Sequence, residues 1–281
     1  MQKSMKIWFP ILVLPTLIAF IIAFIAPFAM GLYLSFNQFR TLKFVKWVGF
    51  ENYTRAFHDP RFVDALLLTV KFTIIAVITI NLLSFLLALL LTKSIRGTNI
   101  FRTVFFMPNL IGGIVLGYIW LAIINGVLRY FDLTILYDPK FGFWGLVILM
   151  NWQLIGYMMV IYIAGIQNVS PDLLEAADID GAGAFTKLTK ITIPSVMPSV
   201  TICLFLTLTN SFKLFDQNLA LTGGGPEKKT EMLAMNIVNS FNETYATARG
   251  TGQAKAVIFF VIVAVIALTQ LFLTRRKEVE N

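Results

Sequence analysis

Apolar residues run in long blocks along this chain of 281 residues, and polar residues are confined to the gaps between them. A bilayer core about 30 Å thick needs roughly 20 apolar helical residues. Six blocks qualify, at about 8–36, 65–92, 103–124, 143–166, 191–212 and 255–273. The pattern predicts an all-α membrane protein with six transmembrane helices, forming a single transmembrane domain over 1–281. Pro10, Pro15 and Pro27 loosen the first block, Lys71 interrupts the second near its outer end, and Pro108, Gly112, Gly113 and Gly117 punctuate the third. Glycine and proline are tolerated in spans where neighbouring helices cover the freed backbone. Small residues also let helices approach closely, and Gly113-x-x-x-Gly117 fits that use. The leader Met1–Lys6 resembles that of a signal peptide. The apolar run from Ile7 to Phe36 is much longer than a signal peptide's apolar region of about 7–15 residues, so it is read as a retained first span.

The polar gaps set the topology. Lys3, Lys6, Lys93, Arg96, Arg102, Lys187, Lys190, Arg275, Arg276 and Lys277 fall on one side, ten of 23 basic residues. The rest are spread over gaps about twice as long. Charges close to span ends weigh most, and the short termini and the tight 93–102 loop place both termini in the cytoplasm. The outer loops are then about 37–64, 125–142 and 213–254. The last holds Gly223-Gly-Gly-Pro226, a turn signal. Met232–Phe241 follows, apolar at helical spacing, as a surface or partly inserted amphipathic helix would be. Asn52-Tyr-Thr54 and Asn242-Glu-Thr244 match glycosylation acceptors on that side, a triplet that is common by chance.

Composition agrees with lipid as the solvent. The chain is 57% apolar and 14% charged, with mean hydropathy +0.77, whereas soluble domains average about 25% charged residues. The net charge of +8 sits beside apolar runs, which points to anionic lipid and cytoplasmic orientation rather than nucleic acid. Cys203 is the single cysteine and His58 the single histidine. Disulfide scaffolds, cysteine-based metal sites and histidine-dependent triads are therefore excluded. No Gly-x-x-x-x-Gly-Lys-Ser/Thr phosphate loop, Gly-x-Ser-x-Gly or His-Glu-x-x-His occurs. Carboxylates are scarce in the spans, against a proton or sodium relay. A six-span chain without its own energy source is a passive pore or one part of a powered complex.

The segment 170–194 favours the second. Ser170 can cap a helix that starts at Pro171. Asp172 and Glu175 complement the helix dipole. Asp172, Glu175 and Asp178 line one face, with Leu174 and Ala177 on another, and Gly181 can end the helix in the left-handed conformation. A connector lying on anionic lipid would show Lys and Arg there. This one shows carboxylates until Lys187, which suits a protein partner.

Glu175-Ala-Ala-x3-Gly181-x9-Ile191-x-Ile193-Pro194 resembles the EAA loop of ABC-importer inner-membrane permeases. Those usually carry Leu where this chain has Ile193, a conservative exchange. Phe50-Glu-Asn-Tyr53 followed by Asp59-Pro-Arg-Phe62, Phe105-Phe-Met-Pro-Asn109 and Leu221-Thr-Gly-Gly-Gly-Pro226 are similar to the carbohydrate-uptake class, and in particular to the first subunit of heteromeric maltose, lactose, multiple-sugar or glycerol-phosphate permeases. The large extra outer domain of the maltose version has no room here. The resemblance implies a type I importer permease fold in the bacterial cytoplasmic (inner) membrane. It also implies a coupling helix at about 171–181, in which Glu175, Ala176, Ala177, Asp178, Gly181, Ile191 and Pro194 transmit motion from a partner ATPase. The implied partners are a second homologous permease, a dimer of cytoplasmic ATPase, an extracytoplasmic sugar-binding protein and membrane lipid. This chain would be no enzyme and bind no cofactor, ATP and Mg being held by the ATPase.

Sugars are bound by hydrogen-bonding side chains and by stacking on aromatic rings. Asn151, Gln153 and Tyr157 in the fourth span, and Asn210, Ser211, Phe212, Phe215 and Asp216 at the end of the fifth, are the substrate-binding candidates by location. Each could instead bond a neighbouring helix, and Asn81 is read as structural. Lys213 is the main basic residue in this set, which favours neutral sugars over a phosphate ligand. The competing readings are a passive channel or facilitator, for which no internal repeat is found, and a membrane scaffold, for which the inner segments are too short.

Overall fold

A computed structural model describes residues 12–39, 45–93, 96–243 and 247–276. In chain order the elements are α1 (Leu12–Ser35), β1 (Asn37–Phe39), β2 (Val45–Trp47), α2 (Glu51–Phe57), α3 (Pro60–Leu91), α4 (Thr98–Phe106), α5 (Gly113–Leu128), α6 (Pro139–Gln167), α7 (Pro171–Ile179), α8 (Ala184–Ser195), α9 (Met197–Phe212), α10 (Asp216–Leu221), α11 (Leu233–Asn242) and α12 (Ala248–Arg275). Among the described residues five helices are long and apolar enough to cross a membrane, and the bent pair α8–α9 makes a sixth span if counted as one. The chain divides into two compact units, Met1–Phe62 with Ile237–Phe260, and Val63–Asn236 with Val261–Asn281.

In the first unit, α1 contains one widened turn at Ile21–Ile25, where the Ala26 N–H reaches the Ile21 carbonyl. The extra residue relieves Pro27, whose ring would otherwise crowd the carbonyl four residues back. β1 and β2 form a short antiparallel pair with Asn37 opposite Trp47. Asn52 is fully buried and its Nδ2 donates to the Ser35 and Asn37 carbonyls, each at 2.9 Å. The Asn52-Tyr-Thr54 triplet is thus a structural tie between α2 and the end of α1, and no sugar can be attached there. Thr244 of the other triplet lies outside the described residues. Gly250 passes so close to this tie that a Cβ would stand 2.4 Å from the Asn37 carbonyl oxygen.

In the second unit α6 is the central helix. Leu146, Leu149, Met150, Met158 and Tyr162 are buried along it, against Phe72, Ala76 and Ile80 of α3, Leu116 of α5 and Cys203 of α9. Polar side chains lock the same helices together. The Tyr162 hydroxyl donates to Asn81 Oδ1 at 2.8 Å, Asn81 Nδ2 donates to Thr207 Oγ1 at 3.3 Å, and Ser84 Oγ donates to the Ile155 carbonyl at 2.9 Å. In lipid, where apolar contact alone gives little drive for association, such bonds contribute about 0.6–2 kcal/mol each. Asn81 therefore has the structural role its sequence position implied.

Two spans differ from the apolar pattern. The third does not run continuously over 103–124. α4 ends at Phe106, Met107–Leu110 forms a 3₁₀ turn, Gly112 is extended, and the long helix starts only at Gly113. Pro108 has no N–H and its ring would crowd the Val104 carbonyl, so the α-ladder stops there. The fifth is bent by 68° between Ser195 and Met197, where Pro198 would crowd the Pro194 carbonyl. Gly113 and Gly117 do serve close packing, against α10: added Cβ atoms would lie 2.9 Å from Asp216 Cβ and 2.5 Å from Ala220 Cβ. In the other spans α3, α6 and α12 start five, four and seven residues before the apolar blocks 65–92, 143–166 and 255–273 and end within two residues of them, while 8–11 of the first block lie outside the described residues.

Candidate functional site

Two features of the second unit adjoin α6, one following its C-terminal end and the other lying beside its middle. The first is the segment that follows it. α7 starts at Pro171, where the missing N–H removes no helical bond. Ser170 occupies the capping position with extended geometry, but its side chain makes no capping bond, contrary to the sequence reading. The far end is built as expected. Gly181 has φ +75°, its N–H donates to the Asp178 carbonyl at 3.1 Å, and the Ala182 N–H donates to the Ala177 carbonyl at 2.8 Å. This is the Schellman arrangement. No atom lies within 4 Å of where a Gly181 Cβ would be, so the backbone angle alone demands glycine. Lys187 Nζ meets Asp178 Oδ1 at 2.6 Å, tying α7 to α8.

The two faces of α7 differ. Leu174 packs against the core of the second unit, as does Ile191 of α8, and Ala177 and Pro194 are half-buried. Asp172, Glu175, Ala176 and Asp178 face outward and are exposed. Three large apolar side chains join them: Leu173 is 52% exposed, Ile179 88% and Phe185 78%. The sequence reading missed these three. Their signal was available, since each is apolar, lies outside every span, and falls off the Leu174–Ala177 stripe. A rigid helix end that combines apolar knobs with carboxylates can seat in a groove of a soluble partner.

The second feature is a cavity of about 350 Å³. Its polar lining comes from Asn109, Gln153, Tyr157, Asn210, Lys213 and Gln217, and its apolar lining from Met150, Leu154 and Leu214. Gln153 and Tyr157 are four residues apart on α6 and so share a face. Gln217 Nε2 donates to Gln153 Oε1 at 2.8 Å, linking α10 to α6 across the wall. Asn210 Nδ2 donates to the Leu206 carbonyl at 2.9 Å. The Tyr157 ring meets Phe106 edge-on at 6.3 Å between centroids.

Gln153, Tyr157 and Asn210 of the sequence candidates are thus brought together, and five are placed elsewhere. Asn151 Nδ2 donates to the Val147 carbonyl at 2.8 Å. Ser211 is buried and returns its hydroxyl to the Thr207 carbonyl at 2.7 Å. Phe212 is buried, Phe215 half-buried, and Asp216 exposed at the start of α10, none of them lining the cavity. Asn109, Lys213 and Gln217 complete the lining instead. Asn109 reaches it because Pro108 breaks the third span at that level. Among the described residues no group of three or more His, Cys, Asp or Glu could hold a metal ion.

The sequence profile described as "binding-protein-dependent transport system inner membrane component" matches residues 81–279. The probable starch degradation products transport system permease protein AmyD of Thermoanaerobacterium thermosulfurigenes is 42% identical, over 98% of this chain and 96% of its own length. The sn-glycerol-3-phosphate transport system permease protein UgpA of Agrobacterium fabrum is 31% identical, over 92% of this chain and 91% of its own. A chain in the crystal structure of a bacterial ABC transporter that imports the acidic polysaccharide alginate superposes with TM-score 0.81 at 21% identity, covering 98% of both chains. At that identity the likeness concerns the fold.

Proposed function

This chain belongs to the family of binding-protein-dependent transport system inner membrane components, and from that premise we propose how it works and what it carries. It is a multi-pass integral membrane protein and a transport subunit. Its cargo is a neutral oligosaccharide. The relative most similar among those above serves starch degradation products, and the cavity lining suits such a ligand: amides, a tyrosine and one lysine, with no carboxylate. A phosphate ligand, as the name of UgpA indicates for that relative, calls for more than one cation.

The chain supplies half of the path, and a second, homologous permease supplies the other half. A dimer of cytoplasmic ATPase carries ATP and Mg, and this chain binds no cofactor. Both termini lie in the cytoplasm, which puts α7 on the side of ATP. A soluble sugar-binding protein delivers cargo at the opposite end of α6. ATPase closure moves α7 through Glu175, Ala176, Leu173 and Ile179. Gly181, the Asp178–Lys187 pair, Ile191 and Pro194 make α7 and α8 move as one lever. The lever acts on α6 and α9, whose Gln153, Tyr157 and Asn210 face the cargo.

The observation that carries this reading is the outward face of α7, apolar and acidic on a helix whose end is fixed by Gly181. Tagged wild-type chain is expected to copurify with an ATPase and a second permease. Gly181→Val is expected to insert normally but to lose most sugar uptake and the ATP hydrolysis that sugar stimulates. Unchanged uptake in that variant, or purification as a lone oligomer, overturns the reading.

A further inference from the structure

From Ala65 to Phe131 the chain holds no Asp or Glu. Three of the five cations in that stretch, Lys93, Arg96 and Arg102, gather between the end of α3 and the middle of α4. Lys93 and Arg96 are exposed, and Arg102 is half-buried. Among the described residues none of the three forms an ion pair. Arg102 is nevertheless held in place. One terminal nitrogen donates to the Leu91 carbonyl at 2.8 Å, at the end of α3, and its Nε is buried with no partner among the described residues. Its charge is left unneutralised.

The place of this turn in the second unit follows from α3 and α6, which run parallel and in register. Phe72 meets Phe143 edge-on at 6.2 Å between centroids, and twelve residues further along both helices Ser84 Oγ bonds the Ile155 carbonyl at 2.9 Å. The end of α3 at Leu91 is therefore level with the last turns of α6, and the turn after it emerges on the side of α7. From there α4 runs back along α6, where Phe105 meets Gly156. Ile100, Phe101 and Val104 of α4 are 69%, 49% and 54% exposed. At the helical period these three share one face, with Arg102 on the other.

Charge and apolar surface together select the occupant. An anionic bilayer surface attracts clusters of Lys and Arg, and a basic helix with an apolar face lies in that surface with the face among acyl chains. On the same side of the second unit α7 is the contrast, since its exposed charges are Asp172, Glu175 and Asp178. A soluble acidic partner would answer the cations alone. A phospholipid answers both, with its phosphate at the cations and a chain along Ile100, Phe101 and Val104.

We propose that the turn between α3 and α4 is a binding site for the phosphate group of an anionic phospholipid, in the leaflet on the side of α7, with Arg96 and Arg102 at the phosphate and Lys93 beside them. The site depends on the membrane placement of the chain and not on the importer reading. Asn99 is exposed on α4, and Cys203, the chain's only cysteine, is buried, so Asn99→Cys introduces a single accessible thiol for a fluorophore. The full-length chain would be placed in phosphatidylcholine nanodiscs with its copurifying subunits, their own accessible thiols removed. Nitroxide-labelled phosphatidylglycerol is expected to quench the fluorophore about fivefold or more as strongly as nitroxide-labelled phosphatidylcholine at equal content. The preference is expected to shrink at high salt and to survive inorganic phosphate added at constant ionic strength. Lys93→Gln combined with Arg96→Gln, both exposed and outside every described ion pair, is expected to remove most of the preference at an unchanged melting temperature, with Arg102 left to hold the end of α3. Equal quenching by the two lipids overturns the site, and so does a preference undiminished in the double variant. Loss of the preference to inorganic phosphate would make this a site for the free ion and overturn the lipid. Equal quenching together with loss of a copurifying subunit from the double variant would show that a protein covers the turn instead.

Discussion

Lys255 is only 2% exposed although it is charged. Its Nζ meets Asp59 Oδ2 at 2.7 Å and Ser240 Oγ at 2.8 Å, above the Phe62 ring at 5.4 Å. Burial pushes the Asp59 carboxyl up, but the hydrogen bond and charge of Lys255, helped by the backbone and charge of Arg61, outweigh it and hold Asp59 below the usual carboxylate range. The stabilisation from this depressed carboxyl is fully present above the ordinary value of 3.8 and is lost as pH falls through its lower folded value. Removing one partner leaves a buried charge, which costs about 3 kcal/mol or more. Asp59→Asn is therefore expected to lower the melting temperature in detergent at neutral pH, and to remove this pair's share of the loss in strong acid. A melting temperature equal to wild type at pH 7 contradicts that role for the pair. Gly156 makes a different demand, since a Cβ there would stand 1.8 Å from the Phe105 carbonyl oxygen. Backbone, not a flexible side chain, would have to move. Gly156→Ala is expected to cost about 3 kcal/mol, read as a drop on the order of 6–10 °C in melting temperature; a normal melt would mean that α4 yields freely.

At the scale of elements, the lever role proposed for α7 depends on where the helix stops. Left-handed geometry at Gly181 is open to Asn at small cost and closed to β-branched residues. Sugar-stimulated ATP hydrolysis is expected to fall in the order Gly181, Gly181→Asn, Gly181→Val, and equal activity across the three would show that the cap does not matter. This helix was legible in the sequence because its signals are local: a proline at the start, a carboxylate in the first turn and a glycine at the end. The spans were legible because a helical run of about 20 apolar residues matches the thickness of a bilayer core. The breaks at Pro108 and Val196 were not, because the apolar run continues through both while the hydrogen-bond ladder does not. That difference moved the cavity. Asn109 enters its lining through the break after α4, while Ser211 satisfies its hydroxyl on the carbonyl four residues back, a choice that sequence does not reveal. Ser170 likewise holds a capping position without making the bond.

Across the whole molecule, α6 runs from Pro139 past Gln153 and Tyr157 to the start of α7, and so joins the cavity to the helix proposed as the lever. Tyr157→Ala and Asn210→Ala are expected to raise the sugar concentration for half-maximal transport about tenfold, as loss of one or two sugar hydrogen bonds would, while Ser211→Ala leaves it near wild type. If the three variants behave alike, the cavity is not the cargo site. The central claim is that this chain moves cargo only as part of a powered complex, and uptake into proteoliposomes tests it most directly. The complex would be reconstituted with ATP on the side of α7, and a sugar-loaded binding protein with a labelled, linear starch-derived oligosaccharide would be supplied on the other. A powered importer accumulates the sugar above its external concentration, and stops when either ATP or the binding protein is left out. Equilibration of the same sugar to equal concentrations, with neither ATP nor binding protein needed, would contradict the claim and leave a passive pore.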